Sequence, residues 1–416
     1  MLTIIDKNEI ETRIPGPVDD EAEKIAAGII SDVKKRGEDA LYEYCVKFGD
    51  IEKGDSLIIP RSELEKAAGE IPSDHLELLK KTAKRVEIFA QAQRNSIKDA
   101  LVAIPGGFAG HQVAPVERAC CYAPGGRFPL PSSVIMTAVT AKVAGVKEIY
   151  VASPKPVPLT LAAAFVSGAD YLVAAGGAQA IAAFAYGAGD IPVCDVIVGP
   201  GNRFVTAAKK LVFGNVSIDM LAGPSELTVL ADKTASPDVI AADLLAQAEH
   251  DVVAVPVLVT DSKELIDAVN LELKIQLEQL KTFETASKSL ENGFAVLVDS
   301  IEEGIDICDR LAPEHLEVFT VNAKSVAEKC NNYGGLFIGQ GSAEVLGDYG
   351  AGPNHTLPTG GTARYTGGLS VFNFLRIRTW IRIDDSSKAK DLVSDCAKLA
   401  ELEGLDGHAK SALKRL

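Results

Sequence analysis

No CxxC pair occurs in this chain of 416 residues, although it has seven cysteines, at 45, 120, 121, 194, 308, 330 and 396. That absence removes the usual zinc-knuckle and dithiol redox motifs, and the irregular spacing offers no disulfide framework. The cysteines are expected to be reduced and mostly buried. No apolar run reaches the roughly 18 residues needed to span a bilayer. The opening stretch, MLTIIDKNEIETRIPGPVDDEAEK, is acidic and has no basic segment followed by an apolar one, so it does not read as a signal peptide. A cytoplasmic location is expected. Positive charge is also in deficit: 42 Lys and Arg against 57 Asp and Glu leave a net charge of −15. Such a surface repels nucleic acid and anionic membranes, and neither is expected as a partner. It suits a cationic small substrate, and it admits an anionic cofactor where backbone dipoles receive the phosphates. Neither GxGxxG nor GxxxxGKS/T is present, which removes the usual nucleotide fingerprints.

What remains is a globular composition, 47% hydrophobic and 24% charged, at a length that calls for two or more domains. From about residue 18, DDEAEKIAAGIISDVKKRGEDALYEYCVKFG spaces apolar residues three and four apart, which predicts helix as far as Gly49. A second helical stretch is predicted over roughly 62–96. Between about 130 and 345, short β-branched runs such as KEIYVAS, ADYLVAA, SELTVLAD and AVPVLVTD alternate with Ala-rich helical segments. This is the pattern of βαβ units and parallel sheets covered by helices. GNVSIDMLAGPSELTVL, at 214–230, interrupts the alternation and reads as a crossover between two α/β units. From about 370 the chain is predicted to return to helix, as a small appendage ending in HAKSALKRL.

Three strand-to-helix junctions are rich in glycine: YAPGGRFPLPSS (122–133), VAAGGAQAIAA (173–183) and IVGPGNRFVTAAKK (197–210). Glycine there permits a sharp turn and close approach to a ligand, with helix N-terminal amides behind it. Each loop alone reads first as a tight connection, and Gln179 and Asn202 read equally as helix caps; three such loops in one unit favour a nucleotide-sized ligand.

Polar clusters complete the picture. In SPDVIAADLLAQAEHD a capped helix carries Gln247 and His250 three residues apart, on one face. The plain reading is a helix end dipping into solvent; the chemical one is an amide oxygen and an imidazole sharing a metal. GDYGAGPNH adds Asp348 and His355 on a glycine-rich loop. An N/O set of this kind suits zinc, manganese or cobalt. LAPEHLE sets Glu314 and His315 side by side after a proline, as two candidate bases, and imidazole titrates near neutrality.

Taken in order, these motifs closely resemble the L-histidinol dehydrogenase family over almost the whole chain, most clearly from YAPGG to GDYGAGPNHTLPTGGTAR and again at LEGLDGH. The resemblance implies zinc- and NAD-dependent oxidation of L-histidinol through histidinal to L-histidine, with two NAD, in a homodimer with shared active sites. It implies Gln247, His250, Asp348 and, from the partner subunit, His408 as zinc ligands that also contact substrate. Glu314 and His315 are the implied proton acceptors. Ser225, His315 and Glu403 are implied substrate contacts, and Tyr122, Gln179 and Asn202 NAD contacts, one in each glycine loop. GHQVAPVERACCYAPGGRF and ARYTGGLSVFNFLRIRTW are similar to a paralogous subgroup that oxidises sulfopropanediol, whereas AGPSE and GDYGAGPNH are of the histidinol type. Cys120 and Cys121 gain no role from the resemblance and are expected to be buried structural thiols. The implied fold is α/β: two incomplete Rossmann-like parallel-sheet domains, a small helical C-terminal appendage and an N-terminal helical arm. The expected division is an arm over 1–19, a first domain of 20–121 with 227–369 carrying metal and catalytic residues, an NAD-binding domain over 122–226, and a tail over 370–416 reaching the partner.

Overall fold

Helix begins at Asp20, where the Asp19 carboxylate accepts the Ala22 N–H, and runs to Arg36. Gly37, at φ 61°, breaks it, and a second helix, Glu38–Phe48, ends at a left-handed Gly49. The second predicted stretch is also two helices, Arg61–Glu70 and Ser73–Ser96. They part at Ile71, which the following Pro72 holds in an extended conformation. The computed structural model describes residues 1–16, 18–125 and 129–416, so 126–128 of the first glycine loop lie outside the described residues.

Two six-stranded sheets form the body. In the first, the parallel strands Arg118–Tyr122, Glu148–Ala152, Tyr171–Val173, Val196–Val198 and Ser217–Ile218 lie in the spatial order 3-2-1-4-5, and Ile58–Pro60 adds an antiparallel edge. In the second, Glu226–Ala231, Val255–Thr260, Phe294–Leu297, His315–Phe319 and Gly335–Ile338 repeat that order, and the edge is closed by the parallel pair Thr3–Ile4. Both are Rossmann-like strand orders, with a switch point beside the first strand. Glu226–Ala231 and Val255–Thr260 are buried at every position, because helices cover both faces of the sheet. That double cover makes such strands read as continuous apolar runs.

The sheets do not follow the division expected from the sequence. Residues 20–121 do not join 227–369: the Ile58–Pro60 and Arg118–Tyr122 strands belong to the first sheet, and helix Asp20–Arg36 packs on the helices that follow its second and third glycine loops. The arm is docked rather than helical. Asn270 bonds both the N–H and the C=O of Leu2, at 2.8 and 3.1 Å, and the arm's helical content among the described residues is one 3-10 turn, Ile10–Thr12. The tail also differs from expectation. Leu375–Ile383 is a nine-residue strand, paired antiparallel with Gly107–Pro115, which pairs in turn with Ala100–Ile104. Helices follow only at Lys390–Leu402 and Asp406–Leu413. Six of the cysteines are buried, Cys396 is exposed, and none is paired. No helix among the described residues is long and apolar enough to cross a membrane.

Candidate active site

The carboxyl edge of the first sheet faces the amino edge of the second across a cleft of about 850 Å³. One wall is made by Pro200–Arg203, beyond strand Val196–Val198, and by Leu130, Ser132 and Ser133 at the start of helix Pro131–Ala144. The other is made by Ser225, Glu314 and His315, at the starts of the strands flanking the switch point of the second sheet. The crossover 219–225 runs between the walls.

The geometry of LAPEHLE follows from its helix stop. Helix Ile301–Leu311 ends at Ala312, which is left-handed at φ 47°, and Pro313 cannot continue it. The strand that begins at His315 therefore presents Glu314 and His315 at its first turn into the cleft. Glu314 Oε2 accepts Ser225 Oγ–H at 2.5 Å and the Glu226 N–H at 3.1 Å. His315 Nδ1 faces two acceptors, the Glu226 carbonyl and Gln247 Oε1, each at 3.0 Å. Two acceptors place the proton on Nδ1 and leave Nε2 as the basic nitrogen. Burial first, and then His355 alongside, lower the His315 pKa to about 3, so the ring is neutral. Burial pushes the Glu314 carboxyl well above its ordinary value, against the Ser225 and Glu226 hydrogen bonds.

Behind His315 lies a group that sequence reasoning missed in part. His355 stacks on it at 4.6 Å between ring centroids, with Nε2 to Nε2 at 2.8 Å, and Glu344 Oε1 lies 3.0 Å from His355 Nε2. Burial opposes ionisation of Glu344, but the His355 hydrogen bond, with the imidazoles around it, outweighs burial and holds the carboxyl at about 2. Among the described residues, His315, Glu344 and His355 form the cluster able to hold a metal ion. His355 was singled out by its loop; Glu344 was not singled out. The available signal was its spacing of four from Asp348, which puts both on one face of the short helix Glu344–Asp348.

The expected zinc ligands are only partly assembled in one chain. Gln247 is fully buried, with Nε2 lacking a partner, and Asp348 Oδ2 is likewise unpartnered. His250 Nε2 is 3.7 Å from that same oxygen, and its side chain is 43% exposed. Asp348 Oδ1 is 3.3 Å from His355 Nε2, so this carboxylate touches both groups. Glu403, just past helix Lys390–Leu402, and His408, on helix Asp406–Leu413, are exposed and do not line the cleft. Of the expected NAD contacts, Asn202 lines the cleft and caps helix Arg203–Val212 through the Phe204 and Val205 amides, at 3.0 and 3.2 Å. Tyr122 and Gln179 do not line it. Tyr122 Oη accepts the Gly177 N–H, and Gln179 Nε2 donates to Asp50 Oδ2, which also accepts the Gly176 N–H. A carboxylate and a phenol therefore already occupy the amides at the start of helix Gly177–Tyr186, where a phosphate would otherwise sit. Cys120 and Cys121 are buried, and burial raises both thiols, Cys121 to about 12, which leaves no thiolate to attack an aldehyde.

The family model for histidinol dehydrogenase matches residues 15–416. The chain belongs to the histidinol dehydrogenase family. It is 44% identical over 394 residues to the histidinol dehydrogenase of Thermus thermophilus, covering 94% of each chain, and 43% identical to that of Lactococcus lactis, covering 95% and 93%. The crystal structure of histidinol dehydrogenase from Elizabethkingia anophelis superposes with a TM-score of 0.92 at 32% identity, over 100% of this chain and 98% of that one. Family membership makes the chain an oxidoreductase, and the polar floor of the cleft between the two sheets its candidate active site.

Proposed function

We propose that this member of the histidinol dehydrogenase family oxidises L-histidinol through histidinal to L-histidine, with NAD and zinc, as a cytoplasmic homodimer. The observation that carries the reading is the Glu314–His315 pair, two neighbouring bases with separate anchors at the floor of one cleft. Zinc fits the donors present: Asp348 Oδ2 has no hydrogen-bond partner and lies 3.7 Å from the His250 imidazole, and Gln247 Oε1 keeps a second lone pair beyond the one that accepts His315 Nδ1–H. Those three, with the partner subunit's His408, would hold a metal whose chemistry is to bind and orient the amine and imidazole of the substrate. NAD, when bound, supplies the hydride acceptor for each of two oxidations. Asn202, Gly201 and the uncapped start of helix Pro131–Ala144 offer it a wall, whereas Tyr122 and Gln179 act through the loop they hold.

In the first step His315 Nε2 takes the carbinol proton, its other nitrogen being fixed by Glu226 and Gln247. In the second, Glu314 removes a proton from the water that attacks the aldehyde carbon. A cation in the cleft, whether metal or protonated amine, favours the carboxylate that burial alone disfavours. The acidic surface suits such a substrate. The dimer reading draws on the exposed apolar residues of the tail: Leu402 is 85% exposed, Leu399 and Leu405 are exposed near it, and Glu403 follows Leu402 directly, with His408 on the next helix. A partner covering these leucines would bring Glu403 and His408 to its own cleft.

The test is the yield of NADH per substrate. Two per L-histidinol, with the metal-stripped protein inactive, supports the reading. Turnover of sulfopropanediol in preference to L-histidinol would replace it with the paralogous activity.

A further inference from the structure

Outside this floor lies a buried ion pair that the reaction does not use. Lys209 and Asp219 have side chains 2% and 0% exposed, and the ammonium donates to Asp219 Oδ1. It also donates to the Gly199 carbonyl at 2.8 Å, while Asp219 Oδ2 accepts the Gly199 N–H at 2.6 Å and Oδ1 accepts the Met220 N–H at 2.7 Å. Both backbone groups of one glycine are thus held by one pair. Gly199 has φ 113°, and a Cβ there would lie 2.0 Å from the Tyr122 carbonyl, so the position is fixed by close approach as well. A second tie runs parallel: Thr206 Oγ1 donates to the Ala222 carbonyl at 2.5 Å.

The placement gives the pair a consequence. After Gly199 the chain forms the Pro200–Arg203 wall of the cleft, and after Asp219 it forms the crossover that ends at Ser225 on the opposite wall. A desolvated ion pair is a poor source of stability, since apolar residues of similar volume often serve as well. What it supplies is geometry, because charged donors and acceptors fix backbone atoms at short distances. We propose that Lys209 and Asp219 are positioning residues that seat the 199–203 loop against the crossover, so that the dinucleotide wall stands at a fixed distance from the substrate wall. The proposal rests on the NAD reading above. Ser225 has its own anchor on Glu314, at 2.5 Å, so loosening the pair frees the glycine loop rather than the substrate contact.

The experiment compares steady-state constants of the full-length enzyme for Lys209→Met, Asp219→Asn and the double variant, each folded at the assay temperature by circular dichroism. Lys210→Met, at the exposed neighbour that pairs with Glu23, is the control. The single variants are expected to raise KM for NAD about tenfold while KM for L-histidinol stays within about twofold. The double variant, whose amide still accepts the Gly199 N–H, should recover thermal stability but only part of the NAD affinity. If the single variants do not fold, the double variant and Thr206→Val decide the matter; the valine is isosteric and uncharged and should raise KM for NAD about threefold. Folded variants with a wild-type KM for NAD, or with both KM values rising together, would overturn the proposal. A wild-type protein that reduces no NAD would instead overturn the cofactor reading beneath it.

Discussion

Glu314 and His315 share one turn of chain but not one environment. Ser225 and the Glu226 amide hold the carboxylate, whereas the Glu226 carbonyl and Gln247 hold the imidazole. Separate anchors predict separable functions. His315→Asn should slow alcohol oxidation by about 10²–10⁴-fold. Glu314→Gln should spare that step more and slow oxidation of supplied histidinal. Equal proportional losses on both substrates, at equal zinc content, would show the two acting as one unit. Glu226 offers a test through pH. Burial raises its carboxyl from 4.5 to about 8, against the Gly360 N–H that it accepts at 2.9 Å. The folded pKa lies above the unfolded one, so between those values the folded protein holds the extra proton and loses stability as pH rises, by about 1.4 kcal/mol per unit. Glu226→Gln keeps an acceptor for Gly360 and cannot titrate. Its melting temperature relative to wild type should therefore climb steadily from pH 5 to pH 8; a constant difference would count against a buried neutral acid. Ser225 came only from the family resemblance; Glu314, His315 and Asp348 were legible as candidates because each sits in a short motif beside glycine or proline. Glu226, Asp50 and Glu344 were not, since their significance lies in backbone groups more than a hundred residues away, or in a helix face only five residues long.

At the scale of elements, the short helix Glu344–Asp348 places two carboxylates against His355, and its Gly347 is the point of closest contact. A Cβ there would lie 2.5 Å from His355 Nδ1 and 3.2 Å from Phe337. Gly347→Ala is compatible with helix, so its main effect should be to push the imidazole away from His315. Turnover should drop by as much as about 10²-fold, with only a small change in melting temperature. Wild-type turnover would show that His355 need not stay stacked where it is. The parallel strands were readable because both faces are covered, which leaves uninterrupted β-branched runs. Strand Leu375–Ile383 was missed even though LRIRTWIRI alternates with period two. Its ladder partner, Gly107–Pro115, lies some 260 residues earlier, and the helical pattern that follows overshadowed the alternation. The two pairs of helices near the N-terminus read as single stretches because apolar spacing does not register a one-residue break at Gly37, or a two-residue break at Ile71 and Pro72.

At the scale of the molecule, the two sheets share one strand order and meet with opposite edges. The first follows the general rule that ligands sit beyond the carboxyl ends of parallel strands. In the second, the carboxyl end of the same switch point is filled by Asp232, which accepts the Thr234 and Val321 N–H groups at 2.9 and 2.8 Å, and the polar residues gather at the amino end. Sequence alone predicted two α/β units but could not tell which edge each would use, and the expected division joined residues 20–121 to the other sheet. The proposed shared-site dimer has its own test. If one site draws His250 and His408 from different chains, a heterodimer of His250→Ala and His408→Ala subunits has one site with both lesions and one with neither. Mixed and re-associated variants should regain about a quarter of wild-type activity, as random pairing of the two chains dictates. No recovery after proven subunit exchange would mean that each chain builds its site alone.

The docked arm carries one more consequence, for the order in which the molecule is made. Thr3 and Ile4 are made some 290 residues before the strand they pair with, Phe294–Leu297. At about 5–20 residues per second, the arm waits roughly 15–60 seconds for its place, while every strand of the first sheet has already emerged. A chain stalled just short of Phe294 should therefore show the 58–218 sheet resistant to protease and the first residues still open to it. The apolar stretch MLTII is thus exposed until its partner strand is made, and its protection follows the folding of the first sheet rather than starting it.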